Sequence, residues 1–151
     1  MMVVEMCCAP GLEASLSGLR WGLSRIFAGL GIDWREAPPR AVGTEAMWRG
    51  SAAVRMLLGD LAPAVGAGVL WVVDCPLADG LHPSLAGATL GRVAVVSARW
   101  SGEGEVLSVA AHETGHLLGL GHCRGSCLMH PVTTPQGARR RVLRLCSGCR
   151  R

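Results

Sequence analysis

The chain is organised around residues 112–122, which are His112-Glu113-Thr114-Gly115-His116-Leu117-Leu118-Gly119-Leu120-Gly121-His122. On a helix, side chains four residues apart lie one turn apart on the same face. His112 and His116 can therefore bind one metal ion, and Glu113 can reach a water molecule on that ion. Gly119 permits a sharp turn that returns His122 as a third ligand, because glycine accepts a positive φ at little cost. Three neutral imidazoles leave zinc its full charge and an open position for water, as in catalytic zinc sites.

The alternative interpretation of these residues is a surface helix whose histidines lie in solvent. A bare HExxH pattern is a modest signal, since a helix can carry two histidines and a glutamate by accident. Gly119 and His122 stand at the offsets that a three-histidine site needs, and each has a separate mechanical role. The pattern as a whole therefore favours a metal centre.

A second set of metal-ligating residues follows the third histidine. The set forms two closely spaced pairs, C-x3-C and C-x2-C, made of Cys123, Cys127, Cys146 and Cys149. Both spacings are typical of zinc ligands. Four thiolates fill the coordination shell of zinc, so this ion would stabilise the fold and would not activate water. The sequence thus predicts two zinc ions per chain, one catalytic and one structural.

These motifs resemble those of the metzincin clan of zinc peptidases, in which HExxHxxGxxH is followed by a Met-turn. The cysteine pairs around Met129 are similar to those of the archaemetzincins, although the first pair is C-x3-C here and C-x4-C in that family. The resemblance covers residues 112–149, about a quarter of the chain. It implies a metzincin fold, a catalytic zinc, a structural zinc and peptide-bond hydrolysis, with Met129 packed beneath the three histidines.

Length and composition favour one folded domain. The chain has 151 residues, of which 50% are apolar and 17% are charged, so it can bury a single core and is not a disordered chain. Within that domain, residues 1–119 form the sheet-and-helix part that ends in the active-site helix. Residues 120–151 carry the Met-turn and the four-cysteine zinc site.

Neither a signal peptide nor a membrane span is expected. Residues 1–10 lack a basic start and a sufficiently long apolar run, and no other apolar run is long enough to cross a bilayer. We therefore expect a cytoplasmic protein, in which paired cysteines bind metal and do not form disulfides. The remaining cysteines, Cys7, Cys8 and Cys75, are expected to act as small buried hydrophobic residues.

Apolar periodicity gives a coarse outline of the fold. It predicts a helix at residues 12–30 and strands at residues 3–8, 32–37, 69–74 and 92–99. A second helix begins at Ser51 and ends near Leu61, and the metal-binding helix runs from residues 101–105 to about Leu118. Strands that alternate with helices, followed by an irregular cysteine-bearing end, predict a mixed α/β (α+β) domain. With the resemblance, this is a metzincin-like zincin: a twisted mixed sheet with packed helices and a short C-terminal zinc-bearing subdomain.

The predicted function is that of a zinc-dependent metallopeptidase. Zinc lowers the pKa of its bound water and polarises the scissile carbonyl, while Glu113 acts as general base and then as general acid. The expected partner is a peptide or protein substrate that pairs with an exposed strand edge, for which residues 85–90 are the candidate. The sequence does not specify the substrate, the cleavage position or the oligomeric state.

Two other functions stay open. Charge is uneven, since residues 114–151 carry seven arginines and no acidic residue. A non-catalytic zinc module could therefore bind nucleic acid or protein through this Arg-rich end. We favour a solvated surface around a negatively charged zinc site, because a run of charges is weak evidence by itself. Glu113 argues against the non-catalytic module, since a purely structural site does not require it. The third hypothesis is a peptidase fold that has lost activity and only binds peptides.

Overall fold

The structure is a computed structural model that describes residues 1–41, 66–77, 85–100 and 103–150. The helix predicted between Ser51 and Leu61 lies outside the described residues. In chain order the elements are β1 (Met2–Cys8), α1 (Glu13–Ile26), β2 (Ile32–Glu36), β3 (Ala67–Val73), β4 (Gly87–Leu90), β5 (Val93–Ser97), α2 (Glu103–Leu117) and α3 (Pro135–Arg140). The predicted mixed α/β fold class is confirmed.

Five strands form one mixed sheet in the order β2-β1-β3-β5-β4. The pairs β1–β2, β1–β3 and β3–β5 are parallel, and only β4 runs antiparallel to its neighbour β5. Every residue of β3 and β5 is buried, as their continuous apolar sequences require of parallel strands covered on both faces. β4 is half-buried and lies at the edge of the described sheet, so residues 87–90 of the candidate edge at residues 85–90 form an edge strand.

α1 and α2 pack together on one face of the sheet. Leu16, Leu19 and Leu23 of α1 are buried in the same core as Val109 and Ala110 of α2. A Cβ atom on Gly22 would lie 2.8 Å from Leu107 Cδ1, so the glycine allows the two helices to approach closely. This contact sets the position of α2, the helix that carries the first two histidines.

α1 is shorter than the predicted helix at residues 12–30. It ends at Ile26, and Phe27 closes its last turn through a hydrogen bond to the Leu23 carbonyl. Gly29 and Gly31 then take positive φ angles of 84° and 67°, and the Leu30 side chain is exposed. Leu30 extends the apolar pattern in sequence but not the helix, because the glycines turn the chain towards β2.

The chain beyond α2 is mostly irregular, as predicted for the cysteine-bearing end. α3, with six residues, is the only helix in described residues 118–150. The segment nevertheless reaches the main core, where Cys127, Leu128, Met129 and Leu145 are all buried. Within the described part of the chain, no helix is long and apolar enough to span a membrane.

Candidate metal centres and substrate cleft

The three histidines of the motif converge at the end of α2. His112 and His116 lie one turn apart on the helix, which ends at Leu117. Gly119 takes a φ of +83°, the chain reverses, and the ligand nitrogens of His112, His116 and His122 all lie within 4.8 Å of one another. The structure thus brings together the three residues that the sequence nominated as ligands.

Backbone carbonyls define the tautomer of the two helical histidines. His112 Nδ1 lies 3.0 Å from the Leu128 oxygen, and His116 Nδ1 lies 2.8 Å from the Leu120 oxygen. Because a carbonyl oxygen can only accept, each Nδ1 must donate its proton, which leaves Nε2 with a lone pair for a metal. Burial also lowers the pKa of His112 to about 4, so this imidazole is neutral at physiological pH. Imidazoles whose Nδ1 atoms are held by carbonyls, with Nε2 left for a metal, fit zinc.

Glu113 is buried beside the histidines and is held by the edge strand. Thr89 of β4 donates its hydroxyl to Glu113 Oε2 at 2.5 Å. Burial raises the pKa of Glu113, and the hydrogen bond from Thr89 and the charge of Arg141 oppose that rise. A buried carboxylate with a raised pKa is suited to accept and return a proton. Sequence reasoning missed Thr89, because its partner is 24 residues away and no local pattern links them.

Met129 packs directly under the metal-binding helix. It is fully buried, and a Cβ atom on Gly115 would collide with its Sδ atom and lie 2.9 Å from its Cε atom. The backbone of Met129 also accepts a hydrogen bond of 2.9 Å from the Cys123 N–H. Met129 therefore connects the helix to the segment that follows His122. The sequence analysis did not single out Gly115, although it occupies one of the two unspecified positions of HExxH.

The four cysteines form a second cluster. Their sulfur atoms all lie within 4.8 Å of one another, and Cys123 Sγ and Cys146 Sγ are 3.9 Å apart. The Cys146 N–H donates to Cys127 Sγ at 3.4 Å, which stabilises a thiolate. Hydrogen bonds from the backbone at Cys149 and from neighbouring thiols lower the pKa of Cys146 to about 7. Four convergent sulfurs with backbone N–H support fit a closed zinc site.

The other three cysteines lie in the core. Cys7, Cys8 and Cys75 are buried, as expected of small hydrophobic residues. Burial raises the pKa of each thiol, that of Cys7 to about 11, so none has the thiolate character of a reactive cysteine.

A cleft of about 300 Å³ opens beside the histidines. Its lining includes the start of β4, the residues before it and the loop that follows Met129. The lining residues are Leu85, Ala86, Gly87, Trp100, Val109, His112, Glu113, His122, Pro131, Val132, Thr133 and Arg141. The cleft thus joins two of the three histidines, Glu113 and several apolar side chains in one space next to a sheet edge.

Two arginines attach α3 to α2. Arg139 Nε pairs with the carboxylate of Glu105, which is buried, and Arg141 Nη1 donates to the Ser108 carbonyl at 2.9 Å. Burial lowers the pKa of Arg141, although the charge of Glu113 favours the guanidinium. The sequence analysis assigned the arginines of this end to a solvated surface. That assignment is wrong for Arg141, which lines the cleft, because the helical turn at residues 135–140 brings it back onto α2.

Comparisons with known proteins give consistent likenesses. Residues 104–151 match the model described as Peptidase family M54. No curated protein matches the chain. Three crystal structures illustrate the similarity of fold. An archaemetzincin from Methanopyrus kandleri has 20% identity, covers 98% of this chain and 91% of its own, and gives a TM-score of 0.76.

The second crystal structure is an archaemetzincin from Archaeoglobus fulgidus complexed with malonate. It has 22% identity, covers 99% of this chain and 98% of its own, and gives a TM-score of 0.81. The third is a zinc-dependent peptidase from Methanocorpusculum labreanum, with 18% identity, coverage of 97% of both chains and a TM-score of 0.76. These likenesses confirm the fold class and the resemblance drawn from residues 112–149. With the family match over residues 104–151, they support a zinc metallopeptidase.

Proposed function

We propose that this chain, which has the archaemetzincin fold and matches peptidase family M54 over residues 104–151, is a zinc-dependent peptidase. His112, His116 and His122 hold the catalytic zinc. Cys123, Cys127, Cys146 and Cys149 hold a structural zinc. The observation that carries this function is the convergence of three histidine nitrogens, two of them from residues that line a cleft together with the buried carboxylate of Glu113. A structural metal site needs the nitrogens but not the carboxylate.

Each group of the cleft has a defined task. Zinc, when bound, polarises a carbonyl and lowers the pKa of a coordinated water. Glu113 accepts the proton of the attacking water and then donates it to the leaving amine, for which its raised pKa is suitable. The Thr89 hydroxyl holds Oε2, so Oε1, which has no hydrogen-bond partner among the described residues, can face the water.

The substrate lies along the edge strand. Among the described strands β4 pairs with β5 alone, and its other backbone edge can hydrogen-bond an extended peptide. Gly87 allows the strand to approach α2 closely, since a Cβ atom there would lie 3.0 Å from Glu113 Cγ. A peptide paired with β4 is therefore brought to the general base and the histidines together.

Peptide cleavage with a matched variant tests this function. The zinc-loaded protein is incubated with a diverse peptide library, and so is Glu113→Gln. The variant removes a base but no metal ligand, so we expect it to keep its zinc and its melting temperature. Cleavage should fall about a hundredfold or more, the usual contribution of a positioned general base. Equal cleavage by both proteins would show that the assigned mechanism is wrong.

A non-catalytic nucleic-acid module is less well supported. Arg139 and Arg141 are engaged with α2 and so contribute less to a phosphate-binding surface. Binding through several arginines would weaken steeply as salt concentration rises. A flat or absent salt dependence is the result that the peptidase assignment expects.

A further inference from the structure

Arg141 places a cation at the wall of the cleft. Its Nη1 atom donates to the Ser108 carbonyl at 2.9 Å and lies 3.3 Å from the Ser108 hydroxyl. Ser108 is buried on α2, one turn before His112. The guanidinium is therefore fixed to the same helix that carries two of the proposed zinc ligands.

The opposite edge of the guanidinium has no hydrogen-bond partner among the residues that the structure describes. Nε is buried without an acceptor, and within the described part of the chain Nη2 makes no hydrogen bond either. No described carboxylate lies within ion-pair distance of Arg141, although the charge of Glu113 favours the guanidinium. Arg141 as a whole is half-buried, and an enclosed N–H without an acceptor is costly unless a ligand completes it.

The Nε–Nη2 edge matches one ligand chemistry. Two parallel N–H groups on one side of a guanidinium bind both oxygens of a carboxylate in a planar fork. The surrounding wall is apolar, with Trp100, Val109 and Val132 among its residues. Low polarity strengthens a charge-assisted hydrogen bond and disfavours an unpaired anion elsewhere in the cleft.

We propose that Arg141 binds a carboxylate of the substrate and selects peptides that carry one close to the scissile bond. The inference rests on the proposed peptidase function and specifies its substrate class. The carboxylate has two sources: the C-terminus of the peptide, which gives cleavage near a chain end, or an Asp or Glu side chain, which permits internal cleavage. Arg141 is a specificity residue in this scheme, because the reacting atoms belong to the zinc site and Glu113.

The test uses zinc-loaded protein and three versions of one peptide. The first has a free C-terminal carboxylate, the second is amidated at that end, and the third is amidated but carries an internal Glu. Binding is measured by calorimetry in the Glu113→Gln background, where intact peptide persists, and cleavage is measured with native Glu113. We expect a version that carries a carboxylate to bind about tenfold or more tightly than the amidated version without Glu. A hydrogen bond to a charged group typically contributes that much to affinity. Whichever carboxylate gives the gain identifies the source.

Arg141→Gln should abolish that preference, and Arg140→Gln is its matched control. Arg140 precedes Arg141, is exposed, and does not line the cleft. Its substitution therefore removes one positive charge, as Arg141→Gln does, but leaves the cleft unchanged. Arg141→Lys keeps the charge but loses the fork, and should retain only part of the preference. Zinc content and melting temperature show whether each variant is folded.

The outcomes distinguish failure of the Arg141 role from failure of the proposed peptidase function. Cleavage without any carboxylate preference in the native protein overturns the role of Arg141 and leaves the peptidase standing. A preference that survives Arg141→Gln, or disappears equally in Arg140→Gln, also overturns it. Carboxylate-dependent binding that needs Arg141 but is followed by no cleavage supports the binding role and counts against the peptidase.

Discussion

At the scale of single residues, Glu113 depends on a contact that no sequence motif contains. Its carboxylate is buried, and the Thr89 hydroxyl at 2.5 Å is its only hydrogen-bond donor among described side chains. Burial alone would favour the protonated form, which cannot act as a base. The Thr89 hydrogen bond opposes this effect of burial and fixes the orientation of the carboxylate, so Thr89 belongs to the site as a positioning residue.

Thr89→Val tests that role. The variant preserves shape but removes the hydroxyl, so the buried carboxylate loses a charge-assisted hydrogen bond worth about 1.5–3 kcal/mol. We expect cleavage to fall about tenfold or more, with zinc content unchanged because no ligand is altered. Thr89→Ser is the control, and its hydroxyl should restore most of the activity. Full activity in Thr89→Val would contradict the assigned role.

Gly115 is the second residue whose importance comes from packing. A methyl group there would collide with the side chain of Met129, which is fully buried. We expect Gly115→Ala to lower the free energy of unfolding by about 1–3 kcal/mol, the usual cost of overpacking. Gly121→Ala is the control, since its Cβ atom would meet no described atom within 4 Å. Denaturant unfolding of both variants measures the difference, and equal stability would show that Met129 can move aside.

At the scale of secondary-structure elements, the sequence predicted most of what is regular. The buried runs of β3 and β5 are continuous and apolar, so their period and length identified them. The histidine spacing placed two candidate ligands on one helix and a third after its turn, and the cysteine spacings placed the second candidate set in the irregular segments that follow. Residues that act across elements could not be predicted, because Thr89 reaches Glu113 only through the pairing of β4, and Arg141 reaches the cleft only through the docking of α3. Neither has a local pattern that marks its partner.

α3 is held on α2 by an ion pair in which one partner is buried and the other is exposed. Glu105 is buried on α2, whereas the Arg139 side chain is 61% exposed. Arg139→Gln leaves the buried carboxylate unpaired, and we expect a loss of about 1–3 kcal/mol in the free energy of unfolding. Adding Glu105→Gln removes the unpaired buried carboxylate and should recover much of the lost free energy of unfolding. Chemical denaturation of the single and double variants checks this; a double variant as unstable as the sum of both singles would exclude a coupled pair.

At the scale of the whole molecule, the two candidate zinc sites share one stretch of backbone. Leu128 follows Cys127, and its carbonyl accepts the hydrogen bond that orients His112. The Leu128 N–H in turn donates to the Arg144 carbonyl at 2.9 Å, two residues before Cys146. Cys123 follows His122 directly and bonds to the Met129 carbonyl. The cysteine cluster thus surrounds the backbone that supports both the first and the third histidine.

This arrangement predicts that the cysteine site controls the histidine site. Residues 118–134 form no regular element, and ordering such a chain costs roughly 1–2 kcal/mol per residue. Zinc binding by four thiolates contributes on the order of 10 kcal/mol, which is enough to determine whether the segment is ordered. Without that ion, the Leu128 carbonyl and His122 are no longer held in place. Zinc affinity at the histidines should then fall, because the Leu128 carbonyl no longer orients His112 and the segment that carries His122 is no longer ordered, although no imidazole has changed.

Cys146→Ser tests the coupling. We expect elemental analysis under reducing conditions to find two zinc ions in the native protein and one in the variant. The remaining ion should bind about tenfold to a hundredfold more weakly, the usual effect of losing groups that orient metal ligands. Cys8→Ser is the control, because Cys8 is buried in the core far along the chain from both clusters. If the variant lacks one zinc but binds the other with native affinity, the cysteine cluster stabilises the fold without affecting the histidine site. A variant that keeps both ions would remove Cys146 from the ligand set.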